Sequence, residues 1–328
     1  MNTSLGSVNR PAWQPACSLQ MLHRRAAMLE KIRAFFRRAG VLEVETPLLW
    51  PTAGTDPHLD YFPVDGGGCA LYLQTSPEFA MKRLLVAGSG SIYQICKAFR
   101  RGEAGRLHNP EFTLLEWYRL GFNLSQLMDE VAQLLQELLG SRVLRRMSFS
   151  YGELFQEHIG VSWQASLSDL KRQAESLGWP EASAVCGQER SLWLDFLFSH
   201  AVQPRLPKEA VVFVCDFPAP LAALARLRPD DPEVAERFEV FVDGVELANG
   251  YHELNDPLEL RARFDADLAW RRRAGLPLPP VDEAFLAALE AGLPDCSGVA
   301  LGVDRVLMLA EGVSAISDVL PFPLRLAW

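Results

Sequence analysis

Segments with strand character, separated by helices of uneven length, restrict the fold of this chain more than any other feature of its sequence. Apolar residues recur at three- and four-residue spacing over residues 22–39 and 124–139, which predicts two amphipathic helices, the first ended by Gly40. A short helix is expected at about 303–310. The predicted strands are 41–47, 71–74, 91–98, 210–215, 238–242 and 299–301. Because they do not alternate with helices as regular βαβ units do, the pattern predicts an α+β fold, an antiparallel sheet flanked by helices.

The remaining segments set the expected boundaries of the domain. Residues 1–17 lack periodicity and are expected to form an N-terminal tail, with one domain over residues 18–328. Residues 147–201 are expected to be mostly helical, with Trp163, Trp179 and Trp193 as core anchors. That stretch carries no catalytic pattern.

Composition excludes several classes of protein. Hydrophobic residues make up 49% and charged residues 22% of the chain, and no apolar run approaches the roughly 18 to 20 residues of a membrane span. This is typical of a soluble protein. The first twenty residues contain no continuous apolar stretch, so we expect neither a signal peptide nor a lipoprotein anchor, and a cytoplasmic location follows. The net charge of -9 argues against a protein that wraps nucleic acid, so a basic partner-facing patch would have to be local.

Familiar motifs for metals, nucleotides and nucleophiles are missing. Six cysteines lie far apart without a CxxC pair, so buried reduced thiols are expected rather than a zinc site or disulfides. GxxxxGK[ST] has no match, and the isolated GSGS at residues 88–91 lacks the third glycine of a dinucleotide fingerprint. His58, His108 and His252 do not have metal-ligand spacing, and GxSxG is absent. A nucleotide would therefore need another fold.

Three segments carry chemical signals. In residues 96–112 a strand enters a loop with three arginines and one histidine before a second strand begins. Arginine binds phosphate through a planar bidentate fork, so such a loop suits a polyphosphate. Taken alone, this segment is better explained as a solvated basic hairpin.

The other two segments lie in the last third of the chain. Glu246 and Glu253 flank an Asn-Gly dipeptide that is expected to form a turn. Their carboxylates could hold magnesium against phosphate, and surface carboxylates around a turn are the alternative interpretation. Residues 298–308 form a glycine-bracketed strand that turns into an apolar helix with Arg305 near its start. Close backbone approach at Gly302 would suit a nucleotide phosphate, and a glycine used for tight packing is the alternative.

In this order the segments resemble the signature motifs of the class II aminoacyl-tRNA synthetases: residues 35–47 look like motif 1, 99–112 like motif 2 and 299–308 like motif 3. The resemblance covers nearly the whole chain from residue 18, and it extends to the lysyl-tRNA synthetase branch through residues 75–78, 108–113 and 246–253. Because motif 1 begins within the first forty residues, we expect no anticodon-binding domain. Such a stand-alone core, with residues 294–302, resembles the elongation factor P (R)-β-lysine ligase family, which lysylates a protein instead of a tRNA.

The resemblance implies ATP and Mg²⁺ as cofactors, an adenylate of β-lysine, and its transfer to a lysine of elongation factor P. Arg100 and Arg305 are the implied catalytic residues, at the α-phosphate and at the γ-phosphate end. The implied ATP site comprises Arg100, Arg101, Gly102, Glu103, His108, Asn109, Phe112, Glu246, Leu247, Gly302 and Arg305. The implied substrate site comprises Ser76, Pro77, Glu78, Glu116, Tyr118, Asn249, Glu253 and Ala300. Glu246 and Glu253 are the implied magnesium ligands.

Two positions depart from the family pattern. Motif 2 usually reads Phe-Arg-x-Glu, whereas Gly102 stands in place of the glutamate here. Glu103 is expected to take the adenine-side role through a small adjustment of the loop. Ala300 stands where lysyl-tRNA synthetases usually have glycine, and its methyl group is expected to favour β-lysine over α-lysine.

The resemblance also bears on partners. Motif 1 forms the dimer interface of class II enzymes, so a homodimer is implied, without a membrane partner and with tRNA unexpected. The alternatives are a miniature lysyl-tRNA synthetase-like enzyme that charges tRNA, and an inactive regulatory paralogue. The missing anticodon domain and the acidic total disfavour the first. Retention of Arg100, Glu246, Glu253 and Arg305 disfavours the second.

Overall fold

A computed structural model describes residues 13–140 and 145–324. In these residues the strands are β1 (Leu42–Glu43), β2 (Leu49–Trp50), β3 (Pro63–Asp65), β4 (Ala70–Leu73), β5 (Ile92–Phe99), β6 (Glu111–Leu120), β7 (Arg145–Ser150), β8 (Ala210–Pro218), β9 (Val234–Val242), β10 (Val245–His252) and β11 (Cys296–Gly302). The helices are α1 (Leu19–Arg38), α2 (Glu78–Val86), α3 (Leu124–Leu139), α4 (Tyr151–Ile159), α5 (Leu167–Ser176), α6 (Ala182–Cys186), α7 (Arg190–Leu197), α8 (Pro257–Arg273), α9 (Glu283–Gly292) and α10 (Val303–Ala310).

The central sheet has the strand order β1-β5-β6-β11-β10-β9-β8-β7 within the described part of the chain. Its interior pairs are antiparallel. At the two edges, β1 pairs with β5 and β7 pairs with β8 in parallel. The predicted α+β fold with an antiparallel sheet is therefore confirmed, with a parallel pair added at each edge. Strands β2, β4 and β3 form a second, small antiparallel sheet.

Local sequence explains why the two long predicted helices form. The Asn123 side chain accepts the backbone N–H of Gln126, and the Gln126 side chain bonds back to the Asn123 backbone, a capping box that starts α3. Ser18 caps α1 in the same way, through the N–H of Met21. Helix α1 thus begins three residues before the predicted start and ends just before Gly40, as expected. Both helices pack with α10 on one face of the sheet.

Strand β8 shows that the sheet is buried on both faces. Val211 and Phe213 belong to the core under α1, α3 and α10, while Val212 and Val214 belong to a second core formed with α4 and α7. Because successive side chains of a strand point to opposite faces, an uninterrupted apolar run is required here. The helical stretch between β7 and β8 is thereby attached to the sheet.

Several predictions need correction at the level of single elements. The stretch predicted as mostly helical over 147–201 begins with β7, which pairs with β8 in parallel before the helices start. The strand predicted at 41–47 is limited to β1. Trp193 is fully buried as expected, whereas Trp163 and Trp179 are half-buried at the margin of that core. Weak alternation in Arg145–Ser150 explains why the strand was missed.

The cysteines of the described residues are free thiols. Cys17, Cys186 and Cys296 are buried, as predicted, and Cys96 and Cys215 are half-buried. The prediction is wrong for Cys69, which is exposed at the start of the hairpin strand β4.

The predicted N-terminal tail lies mostly outside the described residues, since its first twelve residues do. At its end, the Ala16 backbone N–H donates to the Pro321 carbonyl at 2.6 Å, and Cys17 is buried. These two residues therefore pack on the domain. In the ranges that the structure covers, none of the helices combines the length and apolar character needed to cross a bilayer.

Candidate active site

A cavity of about 990 Å³ lies on the sheet, where β6, β10 and β11 meet the loop after β5. Its walls also include residues 52–59 and parts of α7 and α8. Most of the predicted site residues line it: Ser76, Pro77, Glu78, Arg100, Glu103, His108, Asn109, Phe112, Glu116, Tyr118, Glu246, Leu247, Asn249, Glu253, Ala300, Gly302 and Arg305. The structure thus brings together four segments that are separate in sequence: 76–78, 100–118, 246–253 and 300–305.

Arg101 and Gly102 are predicted ATP-site residues that do not line the cavity wall described here. The Arg101 side chain is exposed, and its backbone N–H donates to the Asp60 carbonyl. Gly102 has φ +82, a left-handed conformation that favours glycine and turns the loop back. Both residues shape the loop from its outer side, so their assignment to the ATP site is not supported by their position.

Arg100 projects from the loop toward the cavity. Its backbone N–H donates to the Pro110 carbonyl, which closes the base of the hairpin. Its guanidinium lies 5.1 Å from the centre of the Phe112 ring and 3.6 Å from Glu103. The Arg100 Nε is buried without a hydrogen-bond partner among the described residues. A bound anion could satisfy that donor, because guanidinium groups bind phosphate oxygens in a planar fork.

Arg305 lies at the start of α10 and contacts both the loop after β5 and strand β10. It donates to the backbone carbonyls of Leu107 at 3.2 Å and Glu246 at 2.8 Å, and one of its nitrogens lies 3.4 Å from the Glu246 carboxylate. A further nitrogen of Arg305 lies 2.8 Å from His108 Nε2. Because Arg305 can only donate, His108 accepts there and carries its proton on Nδ1. Burial, and then the charge of Arg305, lower the pKa of His108, which keeps the ring neutral.

Asp304 is a buried carboxylate on α10 whose contacts sequence reasoning missed. Asp304 Oδ2 accepts the backbone N–H of Thr113 at 2.7 Å, and Oδ1 accepts from Arg25 at 2.5 Å. Thr113 lies on β6 and Arg25 on α1, so Asp304 fixes the start of α10 against both. The available signal was an aspartate on an otherwise apolar helix, immediately before Arg305.

At the other end of the cavity, buried acids form a connected network. Ser76 donates to Glu116 Oε2 at 2.8 Å, and the Tyr118 hydroxyl donates to Glu116 Oε1 at 2.7 Å. Burial, and then the charge of Glu78, raise the pKa of Glu116 to about 7. Burial also raises the pKa of Glu253 to about 8, against the opposing effect of Lys82.

Lys82 is the second residue that sequence reasoning missed. Its Nζ lies 2.6 Å from Glu78 Oε1 and 2.6 Å from Glu253 Oε2. Its spacing of four from Glu78, the spacing of an ion pair on a helix, was the signal available in the sequence. Its other partner, Glu253, is distant in sequence, so the contact between Lys82 and Glu253 could not be predicted from the sequence.

The floor of the cavity consists of small residues on β11. Ala300 lies opposite Glu116 on one side and Asn249 on the other, so its methyl group shares their face of the sheet. A Cβ on Gly298 would lie 2.4 Å from Glu253 Oε1 and from the Tyr118 ring. Glycine is therefore required at position 298. Of the three residues on this face of β11, Gly298, Ala300 and Gly302, only Ala300 has a side chain.

Asn249 is oriented by two neighbours. Arg237 donates to Asn249 Oδ1 at 3.2 Å, and Asn249 Nδ2 donates to the Tyr251 hydroxyl at 2.8 Å. Arg237 is itself paired with Glu239 at 2.5 Å. Burial raises the pKa of Glu239 to about 7 although Arg237 opposes this shift.

The Asn-Gly turn predicted between Glu246 and Glu253 is wrong. Asn249 and Gly250 lie inside β10, and the turn between β9 and β10 is made by Asp243 and Gly244, with φ of 53° and 79°. Glycine occurs at 250 because the Phe238 ring covers it: a Cβ there would lie 2.4 Å from the ring. Glu246 therefore lies in β10 and Glu253 directly after its end, and both line the cavity.

The predicted magnesium ligands have separate partners in this structure. Glu246 contacts Arg305, and Glu253 contacts Lys82. Across residues 13–140 and 145–324, His, Cys, Asp and Glu side chains form no group of three or more that could hold a metal ion.

The class follows from comparison with known proteins: the chain belongs to the family described as tRNA synthetases class II (D, K and N), whose model matches residues 15–325. Within the class, curated relatives share one name, elongation factor P–(R)-β-lysine ligase. The protein of that name from Vibrio cholerae is 49% identical over 318 residues, which cover 95% of this chain and 97% of the relative. Those from Vibrio vulnificus (48%; 96% and 99%) and Klebsiella pneumoniae strain 342 (47%; 94% and 97%) match similarly.

Proposed function

We propose that this protein uses ATP to activate (R)-β-lysine as an adenylate and transfers it to a lysine side chain of elongation factor P. The observation that carries the proposal is a buried acidic pocket, with Glu78, Glu116 and Glu253, in the same cavity as Arg100 and Arg305. A diamino acid needs carboxylates for its ammonium groups, and ATP needs cations for its phosphates. The name shared by the relatives supports the same substrate and acceptor.

The reaction has two steps. In the first, a β-lysine carboxylate oxygen attacks the α-phosphorus of ATP, the bond to the β-phosphate oxygen breaks, and pyrophosphate leaves. In the second, the acceptor amine attacks the adenylate carbonyl, loses a proton and releases AMP, which leaves an amide. Such chemistry depends on positioning and charge neutralisation rather than on a nucleophilic triad.

We assign the phosphate contacts to the two arginines. Arg100 suits the α-phosphate because its buried Nε has no hydrogen-bond partner among the residues that the structure describes. Arg305 suits the γ-phosphate end, where its contacts with Leu107, Glu246 and His108 fix the orientation of the guanidinium. The neutral His108, with Asn109, Phe112, Leu247 and Gly302 nearby in the cavity wall, would line the nucleotide site. Glu103 is held by Arg100 and is our candidate for the adenine side.

Magnesium fits the donor chemistry of this site in part. Glu246 presents a carboxylate that is 40% exposed, and Glu253 gives one oxygen to Lys82, so each offers a hard oxygen ligand. Bound Mg²⁺ would neutralise charge on the phosphates. Arg305 contacts Glu246 at one end of the cavity, and Lys82 contacts Glu253 at the other.

For the substrate end we propose contacts from Ser76, Glu78, Glu116, Tyr118, Asn249 and Glu253, with Pro77 starting the helix α2 that carries Glu78. Ala300 lies between Glu116 and Asn249 in the sheet. We propose that its methyl group shortens the pocket and selects β-lysine.

A homodimer through the motif 1 region is our proposal for the assembly. Leu42, Leu48 and Leu49 expose 54%, 38% and 41% of their surface there, although they are large apolar residues. A dimer interface would cover them. Size-exclusion chromatography with light scattering tests this, and a species of one chain's mass at all concentrations would contradict it.

We place the protein in the cytoplasm, where elongation factor P acts on translation.

The function is tested by ATP–pyrophosphate exchange with (R)-β-lysine and α-lysine, followed by intact mass of elongation factor P and acid-gel analysis of tRNA. We expect exchange with β-lysine and an added β-lysyl mass on elongation factor P. Mass added to tRNA alone would favour the tRNA-charging interpretation, and no exchange with either lysine would favour an inactive paralogue.

A further inference from the structure

A buried lysine behind the acids of the cavity has no role in the chemistry described above. Lys82 lies on α2, one turn after Glu78, and is 1% exposed. It contacts Glu78 and Glu253, which line the cavity, but it is not itself among the described residues that line the wall. The ammonium group therefore lies behind the carboxylates, where it cannot meet the substrate directly.

An ammonium this deeply buried must be paired, because an isolated charge in the interior is strongly unfavourable. Burial alone would lower the pKa of Lys82, but the charges of Glu253 and Glu78 outweigh burial and raise it. Besides these oxygens, the Phe285 ring lies 5.9 Å from Nζ. The surroundings therefore keep Lys82 charged: its ammonium group donates a hydrogen bond to Glu78 and forms an ion pair with Glu253.

We propose that Lys82 is a positioning residue that fixes Glu78 and Glu253 for the two ammonium groups of the substrate and sets the net charge of the pocket. The proposal rests on the proposed function. When the three acids Glu78, Glu116 and Glu253 are all ionised, the form that ammonium groups bind, the one lysine leaves a formal charge of -2. A diamino acid supplies two ammonium groups, so the filled pocket is neutral.

The geometry also separates the acids into two differently held groups. Glu116 is held from Ser76 and Tyr118, by neutral hydroxyl donors. Glu78 and Glu253 are held by one shared cation. Each carboxylate has about four lone-pair sites, so the bond to Lys82 leaves acceptor capacity toward the cavity. Without Lys82, Glu78 and Glu253 would lose the cation that they share, and the substrate would meet two carboxyl groups that are no longer fixed relative to each other.

The test compares Lys82→Met with Arg83→Met in ATP–pyrophosphate exchange. Arg83 is the next residue of α2, its guanidinium lies 5.7 Å from the Trp50 ring, and it is not among the described lining residues. We expect Lys82→Met to raise KM for β-lysine roughly 10- to 100-fold, the loss of one or two charge-assisted bonds. KM for ATP should stay within about twofold, and Arg83→Met should change neither constant.

A double-mutant cycle separates positioning from a purely structural role. Glu78→Gln should raise KM for β-lysine less in the Lys82→Met background than in the wild type, because Glu78 is no longer fixed there. Additive effects would overturn the proposal. So would a Lys82→Met protein with a lower melting temperature but an unchanged KM for β-lysine. If Lys82→Met does not fold, Lys82→Gln, which keeps a neutral donor, is measured with the same expected rise in KM.

Failure of this inference is distinguishable from failure of the proposed function. Wild-type exchange with β-lysine together with an unchanged KM in the Lys82 variants refutes the role of Lys82 only. No wild-type exchange with β-lysine refutes the proposed function, and the role of Lys82 falls with it.

Discussion

Replacing Asp304 with alanine should destabilise the protein more than any exposed ion pair can. Asp304 is 1% exposed and accepts two hydrogen bonds, from Arg25 and from the Thr113 backbone. Alanine leaves the Thr113 N–H without its acceptor and the Arg25 guanidinium, whose side chain is 16% exposed, without its counter-charge. Arg25 keeps only its 3.0 Å bond to the Val319 carbonyl.

The expected size follows from these contacts. Breaking a buried ion pair by removing one partner costs about 3 to 5 kcal/mol. Because Arg25 retains the Val319 carbonyl, we expect the lower end, about 3 kcal/mol in the free energy of unfolding. Asp304→Asn keeps the shape and one acceptor oxygen, so about half of that loss is expected.

The assay is urea unfolding followed by intrinsic fluorescence, with Arg24→Ala as the matched control. Arg24 lies next to Arg25 on α1, is 56% exposed, and sits 3.7 Å from Glu311, so its pair should contribute less than about 1 kcal/mol. If the free energy of unfolding of Asp304→Ala lies within about 1 kcal/mol of the wild-type value, Asp304 does not fix α10 against α1 and β6, and the reasoning is wrong.

Three further predictions concern ligand binding. The pKa of Glu116 is raised to about 7, and we expect its ionised form to bind an ammonium group. The KM for β-lysine in ATP–pyrophosphate exchange should therefore rise about tenfold from pH 8 to pH 6. A KM that does not change with pH would count against this contact. Ala300→Gly removes the tallest side chain from the floor of the cavity and should raise exchange with α-lysine relative to β-lysine by about tenfold; an unchanged ratio refutes the pocket-shortening role. Glu103→Ala should raise KM for ATP by about three- to tenfold, and an unchanged KM would remove Glu103 from the adenine side.

Sequence predicted those elements whose signals are local. Helix α3 has its cap, its apolar period and a following glycine within one continuous segment, and the predicted bounds are the observed ones. Strand β10 was missed because Asn249-Gly250 usually marks a turn, whereas here the glycine is needed to admit the Phe238 ring from the neighbouring strand. A local signal was thus overridden by a contact across the sheet.

The site shows the same division. Glu246 and Glu253, or Arg100 and Arg305, carry their chemistry in residue type and motif spacing, and the cavity contains all four. Lys82 and Asp304 act through partners far along the chain, such as Arg25, which is 279 residues from Asp304. Periodicity and spacing do not reveal contacts between residues so far apart. The residues that face the cavity were therefore predicted, whereas the distant partners of Lys82 and Asp304 were not.

The position of β11 has a consequence for how the chain reaches this structure. Of the strands described, β11 comes last in sequence, yet it lies in the middle of the central sheet, between β6 and β10. During synthesis the ribosome therefore releases two half-sheets whose facing edges remain open until residues 296–302 emerge. Pairings over such sequence distances close slowly, and open edges invite association with other chains. A nascent chain stalled before Cys296 should consequently be a client for chaperones, although most of its helices and strands already exist.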